Sequence, residues 1–185
     1  MKVSEGRLDI ACWCPSPNFG PRPPGPDGDI TLLVIHNISL PPGQFGGGYV
    51  QQFFQNKLPA DAHPYFTEIA ALRVSSHLLI ERDGQVTQFV NFNDRAWHAG
   101  RSVYEGRADC NDYSVGIELE GTDTDAYCAV QYEVLADIVR ALQAEYPAIG
   151  RRITGHEHIA PGRKTDPGPA FDWQYLFRTL ALSDN

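Results

Sequence analysis

A loop near the carboxyl-terminal end of the chain carries more ionisable groups than a surface turn needs. It runs from Gly155 to Gly168 and contains His156, Lys164 and Asp166. Pro167 disfavours the helical region for the residue before it, and so it holds Asp166 in an extended conformation. A histidine and a conformationally restricted carboxylate in one short loop are typical of a metal site.

A second histidine follows an apolar run. Residues 30–35 lack the period-2 alternation of a half-exposed strand, so they predict a strand buried on both faces that delivers His36 at its end. A histidine at a strand end is by itself more often structural. Together with His156 and Asp166, however, His36 completes a set of two histidines and one carboxylate, which binds Zn²⁺ and leaves a coordination position for water. Catalytic zinc is therefore the leading interpretation.

Hydrolysis at such a centre also needs a proton carrier and a donor to the oxyanion. Residues 114–120 alternate polar and apolar side chains, which predicts a half-buried strand that presents Glu118 beside Gly116. We assign Glu118 as the general base and Lys164 as the oxyanion donor. Taken alone, each would more often be a solvated charge; the complete zinc set reverses that preference.

Composition limits the class of protein. A chain of 185 residues with 42% hydrophobic content predicts a single globular domain over residues 1–185. The net charge of −8 argues against a nucleic-acid partner. The first nine residues carry charges where a signal peptide needs an apolar core, and no apolar run approaches the roughly 18 residues of a membrane span. We therefore expect a cytoplasmic protein that does not bind membranes, with its cysteines reduced.

The remaining pattern predicts a mixed α/β fold in which one central mixed sheet is flanked by helices. The predicted elements are an irregular arm at 1–29, a helical piece at 49–54, a hairpin at 77–90, an amphipathic helix at 129–146, a short strand at 153–154 and a helix at 172–182. The Pro- and Gly-rich loop 41–48 follows the first ligand-bearing strand. Its glycines permit closure over the site, and a static surface loop is the alternative.

Four ordered segments resemble the zinc-dependent type-2 N-acetylmuramoyl-L-alanine amidases. They are VIHNISLPPG at 34–43, RAWHAG at 95–100, GIELEGTD at 116–123 and KTDPG at 164–168. The resemblance spans nearly the whole chain and is nearest to the cytoplasmic branch that cleaves 1,6-anhydro-muropeptides in Gram-negative cell-wall recycling. It implies the mixed sheet shared with peptidoglycan-recognition proteins, and the same three zinc ligands and two catalytic residues assigned above.

Two positions depart from the family pattern. Relatives begin the ligand loop Gly-His-Cys, whereas this chain has Glu157 and His158 after His156. His158 is therefore an alternative ligand. Asp109 stands where some relatives carry a basic residue, so a contact to an acidic peptide at that position is expected to be absent.

Six further side chains are candidates for contact with a muropeptide. Trp97 offers an aromatic face for a sugar ring, although core packing explains it nearly as well. Arg73 can hold a carboxylate through its guanidinium fork, with an ordinary surface arginine as the alternative. His77 is equally explained as a core histidine, and residues 63–65 as a turn. The full set is Asn37, Tyr65, Arg73, His77, Trp97 and His98.

The reaction implied by the resemblance is hydrolysis of the amide between N-acetylmuramic acid and L-alanine. A non-catalytic muropeptide-binding module is the alternative from another class, but it would not need a complete zinc set. A general zinc peptidase is disfavoured because the sequence contains no His-Glu-x-x-His helix.

Overall fold

The computed structural model describes residues 1–181. Twelve strands and five α-helices lie within this range. The strands are β1 Val3–Ser4, β2 Arg7–Leu8, β3 Cys12–Trp13, β4 Phe19–Pro21, β5 Leu32–Ile38, β6 Leu78–Ile80, β7 Val86–Gln88, β8 Asp94–Ala96, β9 Val103–Tyr104, β10 Arg107–Ala108, β11 Ser114–Glu120 and β12 Ile153–Gly155. The helices are α1 Tyr49–Phe54, α2 Pro64–Ile69, α3 Ala129–Glu145, α4 His156–Ile159 and α5 Trp173–Ala181.

Six strands form the central sheet in the order β12-β5-β11-β6-β7-β3. The β6–β7 pair is antiparallel, and the other neighbouring pairs are parallel. The predicted mixed sheet and the predicted hairpin are therefore confirmed. Parallel strands are buried on both faces, because the connections between them place helices and loops over both sides of the sheet.

The two central strands, β5 and β11, position the site. Their register pairs Leu32 with Ser114, Val34 with Gly116 and His36 with Glu118. The buried strand predicted at residues 30–35 is confirmed, and it continues through His36 to Ile38. The prediction that β11 is half-buried is wrong, because all seven of its residues are buried. Other side chains cover its polar face. The alternation of polar and apolar residues in β11 therefore distinguishes the face that carries Glu118 from the apolar face, and does not mark an exposed face.

One face of the sheet packs against α3 and α5. Alternate residues of β5 and β11 join buried side chains of α3 in a single cluster, including Leu33, Ile35, Val115, Ile117, Leu119, Leu135, Ile138, Val139 and Leu142. Helix α3 confirms the predicted amphipathic helix at 129–146. Helix α5 confirms the terminal helix as far as Ala181, and residue 182 lies outside the described range.

A smaller apolar cluster lies on the same side as the site and contains Phe53, Phe54, Phe66 and Leu79. Helix α1 coincides with the predicted piece at 49–54. Helix α2 was not predicted. The His63 side chain accepts a hydrogen bond from the backbone N–H of Tyr65 at 3.1 Å, so the segment interpreted as a turn is the capped start of this helix.

The prediction of an irregular arm at residues 1–29 is wrong for much of its length. Strand β3 pairs with β7 at the edge of the central sheet, and β4 pairs with β8. Leu8, Ser16 and Asn18 are buried. These strands have two or three residues each, and their partners lie more than 70 positions along the chain, so no local periodicity marks them.

Among the described residues, no helix combines the length and the apolar character needed to span a membrane.

Candidate active site

Three neighbouring parallel strands bring the predicted residues to one edge of the sheet. His36 lies near the carboxyl end of β5, Glu118 is its register partner on β11, and His156 directly follows β12. The carboxyl ends of parallel strands share an edge, which is where sites form in α/β sheets. Asp166 reaches the same point from the loop after α4.

The three predicted ligands converge. His36 Nδ1 lies 3.0 Å from His156 Nδ1. Asp166 Oδ2 lies 2.9 Å from the first of these nitrogens and 3.0 Å from the second. Both histidines are 2% exposed. A tetrahedral zinc site with Zn–N distances of about 2.0–2.1 Å places its ligand atoms about 3.3 Å apart, close to the observed spacing.

The protonation states also suit a metal. The Nε2 of His156 lies 3.1 Å from the Ala99 carbonyl oxygen, which only accepts; Nε2 therefore carries the hydrogen, and Nδ1 presents a lone pair. Burial lowers the pKa of His36 to about 4, although its contact with Asp166 opposes the shift. Burial opposes ionisation of Asp166, but its contacts with His156 and His36 outweigh this effect and bring its pKa well below the usual range. At neutral pH, imidazole lone pairs and an anionic oxygen thus face one point, and a divalent metal ion fits there.

His158 does not join this group. Successive helical residues are rotated by about 100°, so residues two apart point in nearly opposite directions. The His158 side chain is 56% exposed. Its Nδ1 accepts from the Gly155 N–H at 3.2 Å, and its ring lies against Trp173. Of these two histidines, only His156 converges with His36 and Asp166.

We expect His156→Ala to lose tight metal binding and His158→Ala to retain it. The first change removes a lone pair from the converging set, and the second removes a side chain that points away. Metal content after gel filtration, measured by mass spectrometry, compares the two variants. Metal lost from His158→Ala and kept by His156→Ala would reverse the ligand assignment.

Glu118 is a buried carboxyl group, 8% exposed, that lines the cleft. Its Oε2 has no hydrogen-bond partner within the described structure. Burial, and then repulsion from Asp166, raise the pKa of Glu118 well above its ordinary value, while Lys164 opposes the shift. A carboxyl group with a raised pKa and a free oxygen is suited to accept and release a proton.

A cleft of about 360 Å³ extends from the ligands towards α1 and α2. Its lining includes nine of the eleven predicted site residues: His36, Asn37, Tyr65, Trp97, His98, Glu118, His156, Lys164 and Asp166. Lys164 is exposed, so its ammonium group remains solvated beside the buried ligands.

Asn37 has a structural task in this lining. Its Nδ2 donates to Asp123 Oδ1 at 2.8 Å and to the carbonyl oxygen of Pro167 at 3.1 Å. The Tyr127 hydroxyl donates to the same carbonyl at 2.8 Å. These contacts hold the loop that carries Asp166. Because both Nδ2 hydrogens are engaged, only the Asn37 amide oxygen remains as a candidate for substrate contact.

Two predicted substrate residues lie outside the cleft lining. His77 is fully buried; its Nδ1 accepts from the Gly116 N–H at 3.0 Å, and its Nε2 donates to the Asp94 carbonyl at 3.1 Å. His77 is thus a core histidine, and its assignment to the substrate site is corrected. Arg73 is exposed beyond α2, where its Nη1 donates to three carbonyls at the end of that helix, including those of Ala70 and Ala71.

The loop at 41–48 is attached to the sheet in this conformation. Glu120 accepts from the Gly46 N–H through one carboxylate oxygen and from the Arg82 N–H at 3.2 Å through the other. The Arg82 guanidinium also lies 4.7 Å from the centre of the Phe45 ring. If this loop closed over the ligands, these contacts would have to break, or their partners would have to move with the loop.

Three contributors to the site were missed by sequence reasoning. The Ser114 hydroxyl contacts the His98 ring, the Asn111 amide oxygen accepts from the Ala99 N–H, and the Ala99 carbonyl accepts from His156 Nε2. The alternation of β11 does place Ser114 on the face of Glu118, so its position carried a signal. The other two act through bonds that no local pattern reveals.

Comparison with known proteins agrees with this geometry. A model of the N-acetylmuramoyl-L-alanine amidase family matches residues 26–169. The chain is 57% identical over 184 residues to the 1,6-anhydro-N-acetylmuramyl-L-alanine amidase AmpD of Escherichia coli K12, covering 100% of this chain and 99% of that relative.

Solved structures agree as well. A crystal structure of a selenomethionine derivative of AmpD is similar with a TM-score of 0.94 and 54% identity, covering 97% of this chain and 99% of that one. The E. coli amidase AmiD, in complex with the substrate anhydro-N-acetylmuramic acid-L-Ala-D-γ-Glu-L-Lys, is similar with a TM-score of 0.59 and 29% identity, over 81% of this chain and 57% of that one. From its site geometry, its fold and these matches, the chain belongs to the N-acetylmuramoyl-L-alanine amidase family.

Proposed function

We propose that residues 1–185 form a single zinc amidase domain that hydrolyses the amide between 1,6-anhydro-N-acetylmuramic acid and L-alanine in muropeptides. The observation that carries the proposal is one cleft in which three metal-type ligands converge beside an unpaired, buried carboxyl group, Glu118. The substrate class is supported by the relatives that are named for this activity and cover the full chain. A cytoplasmic role in peptidoglycan recycling belongs to the same proposal.

His36, His156 and Asp166 would hold the zinc ion. When bound, zinc supplies a Lewis acid that acidifies water and polarises a carbonyl group. The three residues provide two neutral lone pairs and one negative charge, leaving a net positive charge at the centre. That charge favours the ionised form of Glu118, which the metal-free site disfavours.

Glu118 and Lys164 would carry out the proton transfer and charge stabilisation. Glu118 accepts the proton of the attacking water through Oε2 and then delivers it to the leaving nitrogen of L-alanine. Lys164, which lines the same cleft, donates to the carbonyl oxygen as negative charge develops there. Trp97 and Tyr65 belong to the same lining and would contact the sugar and peptide portions.

We expect faster release of peptide from anhydro-muropeptides than from the same peptides on ordinary N-acetylmuramic acid. A partly enclosed cleft of about 360 Å³ suits a small fragment with a terminal sugar better than a continuous glycan strand. Discrimination on the order of 10²-fold in kcat/KM is consistent with polar groups left unpaired by the wrong sugar. Initial rates for both substrates, followed by chromatography of the released peptide, measure this ratio.

Two outcomes would change the proposal. Equal kcat/KM values would keep the amidase activity but remove its restriction to recycled fragments. Saturable muropeptide binding by the zinc-loaded chain with no release of peptide would instead favour the non-catalytic binding module.

A further inference from the structure

We propose that His98 is a positioning residue that sets the tautomer and the orientation of the metal ligand His36. The inference rests on the metal site of the proposed function. His98 Nδ1 lies 2.9 Å from His36 Nε2, the ring nitrogen on the side away from the ligand cluster. The two rings meet edge to face, with centroids 5.0 Å apart.

A series of hydrogen bonds determines which of the two nitrogens donates in this contact. It ends at the Cys110 carbonyl oxygen, which only accepts, so the Ser114 hydroxyl donates its hydrogen there at 2.6 Å. Ser114 Oγ can then only accept from His98 Nε2, at 3.1 Å. With its hydrogen on Nε2, neutral His98 has a lone pair on Nδ1, which accepts the Nε2 hydrogen of His36. His36 is left with a lone pair on Nδ1, the atom that faces His156 and Asp166.

The His98 ring is held in this position by its surroundings. Asn111 Oδ1 accepts from the backbone N–H of His98 at 3.1 Å and from that of Ala99 at 2.8 Å. A Cβ on Gly116 would lie 2.5 Å from the Cγ of His98, so the glycine makes room for the ring.

The next residue, Ala99, orients the other histidine of the ligand set, His156, in the same way. The Ala99 carbonyl accepts from His156 Nε2, and Arg163 Nη2 donates to the same oxygen at 2.6 Å. One two-residue segment, His98 and Ala99, therefore orients both metal histidines, through a side chain in one case and a backbone carbonyl in the other. Hydrogen-bond partners of this kind fix the tautomer and raise the basicity of a ligating histidine.

This arrangement corrects the assignment of His98 to substrate contact. The ring does line the cleft, but both of its nitrogens are engaged within the protein. A substrate group could use either nitrogen only by breaking the chain that orders His36.

The test compares zinc affinity among full-length variants by competition with a chromophoric chelator. We expect His98→Leu to raise the Kd for Zn²⁺ by about 10–100-fold, the usual cost of losing such a partner. His98→Asn should recover most of the affinity, since its Oδ1 stands as many bonds from Cα as Nδ1 does and can accept the same hydrogen. His158→Leu is the matched control and should leave the Kd unchanged.

A double-mutant cycle adds a readout that a packing effect would not produce. Ser114→Ala should weaken zinc binding in the wild-type background and have no further effect in His98→Leu, because Ser114 acts through His98. The ring ¹⁵N shifts of His36 in the metal-free protein should show a hydrogen on Nε2 in wild type and lose that preference in Ser114→Ala.

Several outcomes decide the inference. An unchanged Kd in folded His98→Leu would overturn it, as would equal weakening by His98→Leu and His98→Asn. If His98→Leu does not fold, the Kd values of Ser114→Ala and His98→Asn decide instead: an unchanged Kd in the first or a loss in the second overturns the inference. Absence of zinc binding or amidase activity in wild type would reject the proposed function itself, which is a separate result.

Discussion

Asp166→Ala is expected to abolish tight metal binding and to lower amidase activity by about 10³-fold or more. A metal Lewis acid supplies several kcal/mol of transition-state stabilisation, and about 1.4 kcal/mol corresponds to a tenfold rate change. Asp166 is the only anionic member of the converging set within residues 1–181. Its removal leaves two neutral imidazoles, which retain a divalent ion poorly.

Zinc content and kcat/KM measured on the same preparation check this expectation. Glu157→Ala is a suitable control, because it removes a carboxylate from the same part of the chain that does not belong to the ligand set. Stoichiometric zinc with wild-type affinity in Asp166→Ala would show that the ion binds elsewhere. Lost activity with retained zinc would make Asp166 a catalytic group.

Glu118→Gln is expected to lower kcat by about 10²- to 10⁴-fold, the range for a general acid–base group, while zinc content and fold are kept. The substitution preserves the shape of the side chain and removes only its ability to exchange a proton. Single-turnover rates of the zinc-loaded variant measure the loss directly. Turnover near the wild-type rate at neutral pH would contradict the assignment of Glu118 as the general base.

The same substitution should stabilise the metal-free protein. Because the folded pKa of Glu118 is raised, the folded state is favoured below the unfolded pKa of about 4.3, and this advantage is lost as pH rises through the folded pKa. Gln cannot ionise and avoids that loss. The gain in unfolding free energy should therefore be near zero at pH 4 and grow towards neutral pH. Urea unfolding in the presence of a chelator, compared at pH 4 and pH 7, tests the sign; a gain that is constant with pH would contradict it.

Local patterns predicted the elements that carry the site. The continuous apolar character of residues 30–35 and the helical spacing of 129–146 reflect how each segment is buried, so both can be recognised without knowledge of the partners. The short strands within residues 1–29 and helix α2 could not be recognised in this way. The strands are ordered by distant partner strands and the helix by a capping side chain, and each element is too short to show a period.

The chemistry of the metal set was also visible in the sequence, because residue type and loop composition are local properties. The sequence by itself determined that His36, Asp166 and a histidine after Gly155 were available as ligands. Only the tertiary structure shows that His156, and not His158, points towards His36 and Asp166, since the direction of a side chain depends on how β12 leads into α4. It also brings the His98 ring against His36, because Ser114 and Gly116 accommodate a ring that comes from another segment of the chain. Such roles arise from hydrogen bonds across the fold, and no periodicity in a single segment encodes them.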